Sequence, residues 1–341
     1  MSQKSHGRYK LQFTGGKDSS ELTKKTTDVQ MHAQLNTVSS LRVSFVHPGK
    51  SFSEWKTSSM PKEASLHWQD RLIFEGETVS FESHGLAKTT VIFHDPLSHT
   101  KKFADDGVVQ NEQLSDCLKK LTKRCALSME MIGPFTDKIA AFYFGGRTVL
   151  ENLQLLADQY GFHFIFRPST KKLTFIRVGH HIAKAKLSDA KSVTMIDSVL
   201  SVEQSYSEIH FRIFDSGSMA SKDRKFSKQQ FYQPLQSMTE HSSYREKSGW
   251  KTAAGTLEVH TTSMHEFETA EHRISHQLSK HLLEQDALRL QLINPLCLPG
   301  DQLEVEKSPR KEMDHGNYLS FSCHVDIASN LPRMNVVAVR P

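Results

Sequence analysis

Eighteen apolar residues never run together in these 341 positions, so no segment reads as a membrane-spanning helix. Residues 1–25 are polar and basic and lack the apolar core of a secretory leader, so Sec export is not expected. Cysteine is scarce. Cys117, Cys125, Cys297 and Cys323 form no Cys-x-x-Cys pair, which excludes the spacing of a structural zinc site; four free thiols, mostly buried as small apolar groups, are expected. Phosphate cradles are missing as well. Gly15-Gly16-Lys17 lacks both the spacing and the preceding buried strand of a P-loop, and there is no Gly-x-Ser-x-Gly nucleophile elbow. Strong one-sided charge is also absent. The 43 Lys and Arg against 38 Asp and Glu leave a formal net charge of +5, without the concentrated basic stripe of a nucleic-acid binder. The small clusters Lys24-Lys25, Lys101-Lys102 and Lys171-Lys172 read as solvated surface.

Histidine is plentiful, with nineteen residues, and calls for a metal test. His272 and His276 stand at i, i+4 on an amphipathic stretch, but a zincin needs Glu directly after the first His and Arg273 occupies that position. His265 and His281 flank the pair and bring no carboxylate into register. His180-His181 reads as a loop doublet. No sequence cue selects an acid/base pair of the kind glycoside hydrolysis needs. No catalytic, metal or cofactor-binding residue is therefore assigned, and no cofactor is expected.

What is present is mostly β texture. Val29, Met31, Ala33 and Leu35 alternate, as do Leu41, Val43 and Phe45, and Gly49, Gly76 and Gly85 punctuate further short strands up to about residue 100. A mixed region follows. Leu114, Cys117, Leu118 and Leu121 form one helical face. Thr148 and Glu151 form a capping box ahead of a helix with Val149, Leu153, Leu156 and Tyr160 as its buried stripe, and Gly161 stands where a left-handed C′ residue is wanted. An aromatic hairpin comes next, with Phe162, Phe164 and Phe166 leading to Leu173 and Phe175. Gly145-Gly146 reads as a tight turn before the capping box, with anion binding at the helix start as the lesser reading. β texture returns from about residue 193, with a second amphipathic helix over 266–283 and a Ser- and Lys-rich stretch, 216–256, read as long loops or extended hairpins. Tyr9, Leu11 and Phe13 alternate within an otherwise polar N-terminal arm.

Three segments, taken in order, resemble a known family. The first, residues 72–102, carries Phe74, Gly76 and Val79 on one strand and Asp95 and Leu97 at the end of the next. The second, 148–175, carries Leu153, Leu156, Ala157, Gly161 and Phe162 and then the aromatic hairpin. The third, 267–306, ends in a Pro299-Gly300-Asp301 turn before Leu303 and Val305, and Gly316, Tyr318 and His324 follow. Together they are similar to the phage late control gene D and VgrG-type baseplate hubs of contractile tails and contractile injection systems.

That resemblance implies an α+β, mainly β fold: two small tail-tube-like β-barrels with an α/β segment between them. The expected boundaries are an arm at 1–26, a first barrel at 27–102, the α/β segment at 103–185 and a second barrel at 186–341. It implies a non-enzymatic structural protein forming a homotrimeric ring, whose six barrels join a sixfold inner tube to a threefold spike. Implied partners are a spike protein on a separate chain (the sequence stops after the second barrel), the tail tube protein, and baseplate wedge or tape-measure proteins. No membrane anchor and no specific nucleic-acid binding are expected. The implied location is the bacterial cytoplasm during assembly and then a phage tail or phage-like particle. Two alternatives stay open: a tail-associated cell-wall hydrolase, and a carbohydrate-binding adhesin using Trp55, Trp68 or Trp250. Of these, Trp68 lies in a strand-like alternation that favours the core.

Overall fold

The alternation over residues 29–46 becomes an antiparallel pair in the computed structural model. Strand Thr26–Gln34 buries Val29, Met31 and Ala33, and strand Ser40–Val46 buries Leu41, Val43 and Phe45 against the same core. The structure describes residues 4–5, 9–15, 23–46, 60–84, 88–187, 193–200, 206–214, 221–226, 255–261, 286–292, 297–305, 316–327 and 333–339. The protein is α+β and mainly β.

Among the described residues, thirteen strands join in one sheet. Its first half runs Lys4–Ser5, Tyr9–Thr14, Glu63–Trp68, Arg71–His84, Lys88–His94, Ser40–Val46 and Thr26–Gln34. Its second half continues through Gly316–Asp326, Arg333–Val339 and Asp286–Leu292 to Val193–Leu200. The Gly316–Asp326 strand is shared. Its first part pairs with Gln302–Val305, which in turn carries Lys184–Leu187 in parallel, and its second part pairs with Thr26–Gln34. The two β regions are thus one hydrogen-bonded sheet, joined from Gln34↔Ser322 to Gln30↔Asp326. Alternation marks each strand but carries no information about a partner so distant in sequence.

Within the stretch expected as an N-terminal arm, 1–26, the alternation of Tyr9, Leu11 and Phe13 forms a strand. Tyr9–Thr14 is a member of this sheet, paired with Glu63–Trp68, because Tyr9, Leu11 and Phe13 enter the main core. Trp68 is 1% exposed in the same core, which removes it as a platform for sugar stacking.

The α/β segment has its own core. Helix α1, Leu114–Arg124, buries Leu114, Cys117, Leu118 and Leu121. Helix α2, Val149–Tyr160, opens on the capping box: Thr148 accepts from the Glu151 N–H, and Glu151 reaches back to the Thr148 N–H. It closes on Gly161 at φ 66°, ψ 62°, a left-handed conformation that a side chain would strain. Gly145 and Gly146, at φ 62° and 67°, make the tight turn ahead of it. Both helices pack on a three-stranded sheet in the order Ser128–Ile132, Lys172–Arg177, Phe162–Arg167, and a ribbon of Val108–Gln113 and Lys138–Tyr143 lies alongside.

Alternation of Phe162, Phe164 and Phe166 implies one buried face, yet every residue of Phe162–Arg167 is buried. The three rings face the α/β core. Ile165 faces a third, small cluster with Leu35, Ile176, Leu319, Phe321 and Val339. A second sheet face is covered because the large sheet docks there.

Beyond residue 200, Tyr206–Phe214 pairs antiparallel with Ser221–Phe226 and parallel with Gly255–Thr261. The expected helix at 266–283 and most of 216–256 lie outside the described residues, as do Trp55, Trp250, His272, Arg273 and His276.

Candidate functional site: module joint and strand edges

The residues with the most distinctive geometry gather where the large sheet meets the α/β segment. After the Thr26–Gln34 strand the chain turns through Asn36, which sits at φ 63°. Asparagine tolerates this region better than most side chains. Asn36 then acts as an extra strand residue against Phe162–Arg167. Its N–H donates to the Phe164 carbonyl at 2.8 Å, and its side-chain Oδ1 accepts from the Phe164 N–H at 2.8 Å. Its own carbonyl accepts from Gln154 of α2 at 2.9 Å, and its side-chain nitrogen meets His163 Nδ1 at 3.3 Å. Replacing Asn36 by Ala strands the Phe164 N–H and strains the backbone, for an expected loss of about 2–3 kcal/mol. Asn36→Gly should recover only the backbone part. Urea denaturation of wild type and the two variants measures the split: equal Ala and Gly variants would show that backbone strain contributes nothing, and an Asn36→Gly protein as stable as wild type would show the same of the side-chain bonds.

The Pro299-Gly300 turn makes the second contact. Gly300 has φ 88°, which a side chain would strain, and a Cβ there would lie 2.7 Å from Ile176 Cδ1 and 2.8 Å from Ile182 Cδ1, so these isoleucine ends would also have to move. Asp301 accepts the Leu298 N–H at 3.1 Å and pairs with Arg167 at 3.1 Å, with the two side chains only 2% and 7% exposed. Within the α/β segment, buried Arg177 pairs with buried Asp137 and donates to the Tyr160 carbonyl at the end of α2.

Asp95 has a comparable role. Its carboxylate accepts from the Ser39 N–H at 3.1 Å and caps the 3-10 turn Pro96–Lys102 through the Leu97 N–H at 3.2 Å. Leu97 thereby enters the α/β core. Gly76, one strand away, lets the backbone cross His94, where an added Cβ would sit 2.3 Å from the His94 carbonyl oxygen. Full burial pushes the Asp95 carboxyl up to about 7, against the two N–H donors that hold it down. Between about pH 4 and this value the folded protein keeps a proton that the unfolded chain has released. The stability contributed by the group is therefore fully present in acid and is lost as pH rises through about 7. Relative to wild type, Asp95→Asn should gain stability as pH rises from about 4 to about 7. Denaturation curves at several pH values test this, and a constant difference would refute it.

These groups hold structure together. All four cysteines are free and buried. Burial pushes the Cys117 and Cys297 thiols up to about 12 and raises Cys323 and Cys125 as well, away from thiolate reactivity. Cross-strand His32 and His324 have ring centroids 6.4 Å apart. Among the described residues, no three His, Cys, Asp or Glu side chains gather as a metal site would need. His180 and His181 occupy the turn after Lys172–Arg177, as the loop-doublet reading has it.

Strand edges are the other distinctive feature. Among the described residues, Lys4–Ser5 and Val193–Leu200 end the large sheet, Lys184–Leu187 pairs only with Gln302–Val305, and Ser128–Ile132 pairs only with Lys172–Arg177. None of the site residues was assigned from sequence. Asn36 and Arg177 stand in no motif, Gly76 and Gly300 stand out only as turn or strand punctuation, and Asp95 and Asp301 only through the family resemblance.

The architecture is a long, shared β-sheet with an α/β module locked onto it, and this is the fold of known tail proteins. No protein-family model matches the sequence, and no curated protein matches it. Solved structures do. A tail protein from Neisseria meningitidis MC58 aligns over 97% of this chain and 96% of its own, with TM-score 0.67 and 12% identity. Prophage tail protein gp18 from Listeria monocytogenes EGD-e aligns over 98% and 95%, with TM-score 0.65 and 13% identity. The E. coli c3393 protein, a component of the type VI secretion system with structural similarity to the T4 tail proteins gp27 and gp5, aligns over 93% of this chain and 74% of its own, with TM-score 0.58 and 12% identity. At these identities the shared property is the fold.

Proposed function

We propose that this chain is the non-enzymatic structural hub of a contractile tail or injection-system baseplate, a homotrimeric ring between a sixfold inner tube and a threefold spike. The observation that carries this reading is the fold shared over almost the whole chain with tail proteins, one of them from an injection system. Two β regions per chain and three chains provide six quasi-equivalent β units, enough to match a sixfold tube on one side and a threefold spike on the other. The strand edges support the same reading, since an edge with unpaired N–H and C=O groups invites another chain. A closed ring of this kind commonly buries more than ~2,000 Å². The fixed ion pairs and the protonated, buried thiols suit a part that bears load rather than turns over substrate. The spike, the tube protein and wedge or tape-measure proteins are the proposed partners, met in the bacterial cytoplasm during assembly. Light scattering of the purified chain, alone and with its spike and tube proteins, tests the proposal together with symmetry in electron micrographs. A trimer is expected, and a chain that stays monomeric with both partners would overturn it.

A further inference from the structure

The buried stripe of α1 has leucine at 114, 118 and 121 but the smaller cysteine at 117. A cavity of about 460 Å³ lies beside that position, between α1 and the Val108–Gln113 strand. Its apolar wall is Val109, Cys117, Leu121 and Phe144, and Phe142 stacks edge-on against Phe144 with centroids 5.3 Å apart. The Cys117 thiol is pushed up to about 12, so this wall is uncharged at neutral pH. The remaining lining is ionic: Lys120, Lys123, Arg124 and Asp105. Lys120 is paired with Glu112 and Arg124 with Asp105. Lys123 is exposed and forms no ion pair among the described residues. With Glu112 included, the groups around the opening are three cations and two carboxylates, a net +1.

We infer that this groove on α1 is a docking site for an acidic amphipathic segment of a partner protein, which places an apolar side chain against Cys117 and Phe144 and a carboxylate at Lys123 and Arg124. Three observations select that occupant. The wall beside Cys117 has room for a leucine- or phenylalanine-sized group, and filling it removes apolar surface from water. Lys123 stands at the opening with no ion-pair partner among the described residues. Arg124 has donors enough to take a second carboxylate beside Asp105. A basic segment would meet the net +1 of the opening and find no carboxylate left unpaired there among those named. The groove belongs to the α/β core and not to the thirteen-stranded sheet whose edges a ring would use, so this site and the trimer can fail separately.

The test uses the full chain and the anionic, apolar dye anilinonaphthalene sulfonate as probe. Saturable one-to-one binding is expected. Cys117→Leu should abolish it by filling the floor, with an unchanged or higher melting temperature. Lys123→Glu, a substitution at an exposed position that leaves the core intact, should weaken it about three- to tenfold. A short synthetic helix-forming peptide with leucine on one face and glutamate on the other should displace the dye, and its lysine counterpart should not. The inference is overturned by absence of saturable binding, by equal binding to wild type and Lys123→Glu, or by equal displacement by the two peptides. Displacement by decanoate without displacement by the acidic peptide would assign the groove to a small amphiphile and also refute it. If Cys117→Leu does not fold, the Lys123→Glu and peptide measurements decide alone.

Discussion

Replacing Arg177 by Leu is expected to cost about 3–5 kcal/mol, the cost of leaving one partner of a buried ion pair alone. Arg177 and Asp137 are 1% and 4% exposed, so neither charge can turn to water when the other is removed. The guanidinium also donates at 2.6 Å to the carbonyl of Tyr160, the last residue of α2, and its cation suits the negative end of that helix. It lies 5.5 Å from the centroid of Phe135, whose ring belongs to the same core. Asp137 in turn is followed by the Lys138–Tyr143 strand, and its carbonyl accepts the Leu114 N–H at the start of α1. One side chain thus ties the end of α2 to the start of α1. Removing both charges together, as Arg177→Leu with Asp137→Leu, should be much less costly than the single change predicts, because no uncompensated charge remains. Denaturant midpoints for the two singles and the double measure the coupling. Strict additivity would show that the pair makes no joint contribution.

Much of the fold was legible where a signal is local. The capping box at Thr148 and Glu151 satisfies donors within one turn, and Gly161 ends the same helix through its own φ, so neither depends on the rest of the chain. The alternation of Val29, Met31 and Ala33 likewise reports one buried face whatever the strand pairs with. What was hidden depends on distant partners. That Thr26–Gln34 pairs with Gly316–Asp326 is settled by packing between residues some three hundred positions apart. The double burial of Phe162–Arg167 follows from a sheet docking on its far side, which its own pattern of aromatics does not report. Of the joint residues, Gly76 and Gly300 were legible as turn or strand punctuation, whereas Asp95 and Asp301 were visible only as members of a resemblance. The structure supplies their physical reasons: a backbone crossing at His94, a cap, a turn pressed on Ile176, and a carboxylate for Arg167. Asn36 was invisible, since an asparagine in a polar turn is ordinary until its partner strand is known.

Helix α2 offers the sharpest test of that local legibility, because two adjacent leucines should behave differently. Leu156 is fully buried in the α/β core, whereas Leu155 is 40% exposed. Leu156→Ala removes a packed side chain and leaves a cavity beside Leu153 and the aromatic strand, for an expected loss of about 2–5 kcal/mol. The lower end applies if neighbouring side chains relax into the space. The all-buried strand Phe162–Arg167 behind the helix argues against such collapse, since it is packed on both faces. Leu155→Ala removes surface that is already partly in water and exchanges one good helix former for a better one, so a change within about 0.5 kcal/mol is expected. Thermal and urea denaturation of the pair read the contrast directly. Equal losses, or a Leu156→Ala protein melting at the wild-type temperature, would mean that the helix presents a different face to the core than the stripe of Val149, Leu153, Leu156 and Tyr160.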